Sequence, residues 1–186
     1  MSVGAVHYRL SVARYDQMIR AGILTENDPV ELIRGELLEK MPIGDLHVGT
    51  VIRLTRLFIK RLPEEVTVSI QNPVVFADSE PEPDVAILRP KTNDYGSRKP
   101  TPEDLLLLVE VAESSLEFDR ATKLPLYAEA GIAEYWIANL LDEQLEVYQD
   151  PRSDGFYGSK KIYRRGDILY PLAFPELLIS VSEILG

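Results

Sequence analysis

The chain contains no cysteine, only two histidines and a single tryptophan. Without thiols it can hold no disulfide, no zinc–thiolate or iron–sulfur centre and no cysteine nucleophile, and a reducing compartment suits it. No Gly-x-Ser-x-Gly elbow is present, and His7 and His47 are the only imidazoles, so a serine hydrolase is excluded. Neither a P-loop nor a Gly-x-Gly-x-x-Gly turn occurs, which removes the common nucleotide-binding folds. No apolar run approaches the ~18 residues that span a bilayer. Met1-Ser2-Val3-Gly4 lacks a basic stretch followed by an apolar one, so no secretory leader is expected. The expectation is therefore a cytoplasmic protein with no membrane contact. Internal repeats and low-complexity tracts are also lacking.

What remains is an ordinary globular composition. The 186 residues, 45% hydrophobic and 27% charged, suit one domain spanning residues 1–186, with its core at about 30–150. The net charge of −10 opposes nonspecific binding to nucleic acid, which rests on phosphate neutralisation. That charge is uneven. Residues 1–77 hold nine Lys/Arg against nine Asp/Glu, whereas residues 78–186 hold eleven against twenty-one.

The apolar periodicities predict an α/β fold. Ser11 to Ala21 reads as a helix with Ser11 as N-cap, and Val30–Ile33 with Glu36–Met41 as a hairpin around Arg34-Gly35. Residues 46–62 form the clearest helix. Val48, Val51, Ile52, Thr55, Phe58, Ile59 and Leu62 share its apolar face, with Arg53, Arg56 and Lys60 opposite. Strands are expected at 66–70, 73–76, 84–88 and 105–111, a helix at 119–130 ended by Gly131, and a strand at 134–138. A hairpin at the sheet edge pairs 144–149 with 156–163. Strand 105–111, helix 119–130 and strand 134–138 form a right-handed βαβ unit, so part of the sheet should be parallel.

Four residues stand out against this background. Asp84 closes Pro81-Glu82-Pro83-Asp84 before an apolar strand, and Glu110 interrupts Leu105-Leu-Leu-Leu-Val-Glu-Val111. A carboxylate in a core-forming run costs several kcal/mol unless it is paired or binds a cation. Hard oxygen donors suit Mg²⁺ or Mn²⁺. The plainer alternative pairs Glu110 with an arginine and makes Asp84 a turn cap. Lys123 follows Asp119 by four residues, hence on the same helical face. Its ammonium could stabilise charge on a phosphate, or the two could be a surface pair worth ~0.3–0.5 kcal/mol. Glu31 and Glu36 bracket the hairpin turn, and Glu36 has the better case as a third acid because it enters a strand with Leu37 and Leu38. His47 sits at a helix start, where the dipole disfavours imidazolium. The stripe of Arg53, Arg56 and Lys60 could follow a phosphate backbone or simply be solvated. Tyr127, Tyr135 and Trp136 are expected in the core.

Together these residues resemble the PD-(D/E)XK nuclease superfamily, and within it the branch of small bacterial proteins called the putative restriction endonuclease family. Pro83-Asp84 is similar to its PD and Val109-Glu110-Val111 to its strand acid. Asp119-Arg-Ala-Thr-Lys123, Tyr127, Gly131-Ile132 and Glu134-Tyr-Trp-Ile137 resemble the branch's continuation, as do Glu31-Leu-Ile-Arg-Gly-Glu36, Met41-Pro42 and His47. The likeness spans about residues 10–150. It implies a restriction-endonuclease-like core, a mixed central sheet flanked by helices, with an N-terminal helix and hairpin and a C-terminal edge hairpin. It also implies a Mg²⁺- or Mn²⁺-dependent endodeoxyribonuclease. Asp84 and Glu110 would be its metal ligands, Lys123 and Glu36 would join them in catalysis, and Asp119, His47 and Glu31 would support them. DNA would be the substrate, held by Arg53, Arg56 and Lys60, and a homodimer would cut both strands. One departure is plain: the superfamily's lysine stands two residues after the strand acid, where this chain has Ala112. Lys123 is the replacement. The alternatives are a catalytically weak nuclease-fold binding or regulatory protein and a metal-dependent phosphoesterase acting on small nucleotides.

Overall fold

The computed structural model describes residues 7–25 and 27–186; the Met1–Gly4 stretch, in which no leader was expected, lies outside them. The chain opens with α1 (Val12–Arg20), capped by the Ser11 side chain, which accepts the Arg14 N–H. A hairpin of β1 (Val30–Ile33) and β2 (Glu36–Glu39) follows. Arg34 and Gly35 both take positive φ, the geometry a two-residue hairpin turn demands. A side chain at Gly35 would also strike Arg9.

Next come α2 (Asp45–Arg61), β3 (Thr67–Ile70), β4 (Val85–Leu88) and β5 (Leu105–Ala112). A continuous helical segment then runs through α3 (Leu116–Phe118), a π turn (Asp119–Lys123) and α4 (Leu124–Glu129). Strands β6 (Glu134–Asn139), β7 (Gln144–Pro151) and β8 (Tyr157–Arg164) complete a six-stranded sheet in the order β3-β4-β5-β6-β7-β8. Among the described strands only β5 and β6 run parallel, as the βαβ unit requires. The architecture is the expected mixed sheet flanked by helices.

Alternation along β5 separates two cores. Val109 and Val111 face α2, whereas Leu108 and Ala112 face the helical segment 116–129 and the β1–β2 hairpin. Glu110 shares parity with the second set. A C-terminal unit that the periodicity did not reveal closes the α2 side. It comprises β9 (Ile168–Leu169), β10 (Ile179–Ser180) and α5 (Val181–Leu185), whose Val181 and Ile184 are fully buried.

Several expectations are corrected. Residues 73–76 join no ladder: Val74, Val75 and Phe76 donate instead to the carbonyls of Pro81, Pro100 and Ser79. The surrounding prolines remove the donors that a strand pairing would need. The buried side of α2 carries His47, Thr50, Val51, Leu54, Leu57 and Phe58, while Val48, Ile52 and Ile59 lie in solvent. This helix is apolar on most sides, so two different faces satisfy the same periodicity. Arg56 and Lys60 consequently share the exposed face with those apolar residues instead of opposing them. The helix expected to begin at Asp119 begins at Leu116 and widens into the π turn, where the Leu124 N–H bonds to the Asp119 carbonyl. Pro125 has no N–H to continue an α-helical ladder, and the extra residue is accommodated there. Among the described residues no helix is long and apolar enough to cross a membrane.

Candidate active site

Strand register brings the two diagnostic acids together. Val85 pairs with Val109, so one step further Asp84 stands across from Glu110. Facing residues of an antiparallel pair project to the same side with Cβ atoms ~5 Å apart. The Asp84 N–H donates to Glu110 Oε2 at 3.3 Å, which fixes the carboxylate against the start of β4. Both acids line a cleft of about 330 Å³, with Glu31, His47, Asp119 and Lys123.

Glu110 lies at 2% exposure. Its Oε1 accepts from Lys123 Nζ at 3.0 Å and from the Tyr127 hydroxyl at 2.8 Å. Among the described residues no arginine pairs with it. Burial pushes Glu110 up to about 8; Lys123 opposes the rise, and the charges of Asp84, Asp119 and Glu31 add to it. Asp84 behaves oppositely. Burial would raise it, but the hydrogen bond and charge of His47 and the Val111 N–H at 2.8 Å outweigh burial and hold it below the usual carboxylate range. Its contacts come from α2, from β5 and from Gln71, so it is no local turn cap.

Lys123 is buried among carboxylates. Glu110 Oε1, Glu31 Oε1 and Asp119 Oδ1 lie 3.0, 3.7 and 4.0 Å from its Nζ. Burial would lower its pKa, yet these acids carry it above the ordinary lysine value, so the ammonium stays charged. The surface-pair alternative for Asp119 and Lys123 is therefore excluded: the two are 2% and 7% exposed. Burial also raises Asp119, against Lys123 and the Ser115 hydroxyl that donates to it.

His47 Nε2 sits 3.0 Å from Asp84 Oδ2, while its buried Nδ1 has no hydrogen-bond partner among the described residues. Burial would lower this histidine, but the hydrogen bond and charge of Asp84 and the charges of Glu113 and Asp119 outweigh it and raise its pKa. Its backbone N–H donates to Glu113 Oε2 at 3.1 Å, giving α2 an N-terminal partner that Gly44 cannot supply. A Cβ at Gly44 would collide with that carboxylate.

Of the two hairpin acids, Glu31 is in the cleft and Glu36 is not. β1 is mostly buried against the body and β2 is half-buried; Glu36, beside the Arg34-Gly35 turn, stays outside the cleft lining, which β2 reaches only through Glu39 at its far end. Glu31 is 4% exposed and accepts the Glu82 N–H, whereas Glu36 is solvated beside Arg9 at 3.7 Å. Arg53, Arg56 and Lys60 do not line the cleft. Arg53 spends its guanidinium on the Ile184 and Leu185 carbonyls and on Thr50. Sequence reasoning missed Glu113 and the bond from Tyr127. Glu113 directly follows the apolar strand and resembles any loop acid, and the Tyr127 ring carried no sign that its hydroxyl would meet Glu110. For Glu31 a signal existed: it lies between Val30 and Leu32, as Glu110 lies between valines.

Among the described residues no group of three or more His, Asp or Glu side chains is disposed to hold a metal ion by itself. The donor set still suits a hard cation. Seven acids line the cleft against Lys40, Lys123 and His47, and burial pushes Glu110 upward toward its neutral form. Mg²⁺ ordinarily takes one or two protein carboxylates and completes its shell with water and phosphate oxygens.

Comparison with the curated proteins returns no match. Among solved structures, the crystal structure of a "putative nuclease belonging to DUF820" from Anabaena variabilis superposes with a TM-score of 0.67. The alignment covers 89% of this chain and 94% of that one at 15% identity, a likeness of fold. The profile of the Uma2 family, described as "Putative restriction endonuclease", matches residues 12–182; with nearly the whole chain matched, the protein belongs to that family.

Proposed function

We propose that this chain is a divalent-cation-dependent endodeoxyribonuclease, active as a homodimer, with Asp84 and Glu110 as metal ligands and Lys123 as the assisting cation. The single observation that carries the reading is Lys123: a buried ammonium on the Glu110 carboxylate, in a cleft that Glu110 shares with Asp84. A structural ion pair has no need of a cleft or of three acids around one lysine.

When bound, Mg²⁺ or Mn²⁺ would polarise a phosphoryl oxygen and acidify an attacking water. The chain's own groups do the remaining work. Lys123 orients the nucleophile and stabilises negative charge gathering on the phosphate. Tyr127 and the Asp84 N–H fix the Glu110 carboxylate, and His47 fixes that of Asp84, so both ligands are preorganised. Glu31 and Asp119 keep the Lys123 ammonium charged and aimed inward.

The test uses supercoiled plasmid and thermal melting side by side. A cation that binds only folded protein stabilises it by ~2.7 kcal/mol at a hundredfold excess over Kd. Wild type should nick plasmid with Mn²⁺ and not with EDTA, and should melt higher with Mn²⁺ at matched ionic strength. Lys123→Ala should keep the Mn²⁺ shift and lose nicking by orders of magnitude; Glu110→Gln should lose both. Undiminished nicking by Lys123→Ala, or an equal shift in Glu110→Gln, would place the chemistry elsewhere. An Mn²⁺ shift in a wild type that cuts nothing would favour a binding module.

A further inference from the structure

Among the described residues, the solvent side of α2 is left largely uncovered. Val48, Ile52 and Ile59 are 46%, 51% and 64% exposed, although each is a residue that burial would reward. Helical periodicity gathers them with Asp45, Arg56 and Lys60 inside an arc of about 120°. None of those three charged residues has an ion-pair partner among the described residues. Their neighbours are engaged: Arg61 pairs with Glu183, and Arg53 holds the Ile184 and Leu185 carbonyls.

The order of charges selects an occupant. The acid stands at the first residue of α2 and the bases in its last two turns, with the apolar residues distributed along the face. A second α2 laid parallel would set like charge against like. Laid antiparallel about a two-fold axis beside Ile52, it sets Asp45 against Lys60 of the second copy, one turn from that copy's Arg56. The same contact recurs at the other end, ~22 Å away along the helix. Ile52 of both copies meets at the axis, and Val48 of each copy falls within about 3 Å along the helix of Ile59 of the other. This is the self-complementarity that an isologous interface needs. Nucleic acid would engage Arg56 and Lys60 but would meet Asp45 and leave the three apolar side chains wet.

We propose that two copies of this chain associate through antiparallel α2 helices, with Asp45 bound to Lys60 and Arg56 across the two-fold axis. The proposal deepens the homodimer part of the reading above, but it rests on the α2 surface and not on the chemistry of the cleft. A contact built mainly on one helix pair falls below the ~1,200 Å² of a standard interface, so the dimer should dissociate on dilution.

The experiment is sedimentation velocity on metal-free protein over a concentration series, so a failed nuclease assay cannot affect it. Wild type should pass from monomer to dimer as concentration rises. Asp45→Arg and the double variant Arg56→Glu/Lys60→Glu should each weaken self-association by about tenfold or more, since every dimer contains the altered contact twice. Mixed in equal amounts, the two variants should form a heterodimer at least as tight as wild type, because both contacts then regain opposite charges. That rescue also shows both variants to be folded. A wild type still monomeric at about 0.5 mM, a regime that reveals even weak complexes, would overturn the proposal. So would variants that dimerise like wild type, or a mixture without rescue. Unchanged assembly combined with lost affinity for a labelled DNA duplex in Arg56→Glu/Lys60→Glu would assign the face to nucleic acid instead.

Discussion

Glu146 offers a prediction whose size follows from the structure. It sits mid-strand in β7 with no solvent exposure, on the same side of the sheet as the helical segment that carries Asp119 and Lys123. Arg120 grips it from the π turn, Lys160 donates from β8 at 2.8 Å, and Tyr148, Asn139 and Gln144 complete the shell. Burial would raise its pKa, but the bonds from Arg120 and Lys160 hold it down at about 2. A group depressed in the folded state stabilises above its unfolded pKa and ceases to do so as pH falls through the folded one. Against an unfolded value near 4.5 this amounts to about 3 kcal/mol at neutral pH. That figure is an upper one, because Arg120 and Lys160 keep about a third or more of their side chains in water and would re-solvate. Glu146→Gln removes the charge and turns an amide N–H₂ toward two cationic donors. Its melting temperature at pH 7 should therefore fall by roughly 5–10 °C. The gap to wild type should narrow below pH 5 and stand at roughly half its neutral value or less by pH 3. Circular-dichroism melts of both proteins at half-unit pH steps measure it. A gap that stays constant from pH 7 to pH 3 would refute the ionised, paired Glu146 argued here.

Lys123→Met should destabilise by about 3 kcal/mol at pH 8, because the acids lose their only buried ammonium. Glu110 and Asp119 already lean toward their neutral forms and take up protons as pH falls. Urea titration should find the loss smaller at pH 5 than at pH 8. Glu31→Gln should depress plasmid nicking at least tenfold by freeing Lys123, whereas Glu36→Gln on the solvated strand should leave the rate within about twofold; equal effects would contradict the two placements. Tyr127→Phe deletes the hydroxyl bonded to Glu110 and should cost about 1 kcal/mol, read as a drop of about 2–4 °C in melting temperature.

The legible parts of this protein are those where one element had one way to be buried. The run 105–111 is apolar on both faces, so it had to be an interior strand, and the acid within it had to have a partner. The βαβ unit followed from spacing and handedness alone. Where an element had two choices, the sequence did not distinguish them. α2 can bury Val48, Ile52 and Ile59 or Leu54 and Leu57, and the decision is made by what packs on it: strands β3, β4 and β5 of the sheet and, from the far end of the chain, α5. The hairpin acids pose the same problem. Glu31 and Glu36 lie on paired strands, and only the docking of β1, through the Leu32–Glu80 bridge, decides which faces the cleft. Val74 and Phe76 are as buried as strand residues but pair with loop carbonyls, so apolar content alone misassigns them.

Charge accounting links the fold to the proposed chemistry. A chain of net charge −10 should repel a polyanion, yet screening confines that repulsion to about 10 Å at ordinary ionic strength, so the immediate surroundings of the cleft matter most. There seven acids, Glu31, Asp84, Glu110 and Asp119 among them, face Lys40, Lys123 and His47. Folding has concentrated acid at the one place where the sheet ends, β5 runs out and α2 begins. The excess is not relieved by arginine, which the chain places on Glu146, Asp104 and Glu183 instead. Burial instead pushes Glu110 up to about 8, so it holds a proton more readily than an ordinary carboxylate. A structural cluster gains nothing from such an arrangement, because one more arginine would satisfy it. A site that trades that proton for a divalent cation gains both affinity and a charge of the sign a phosphate needs.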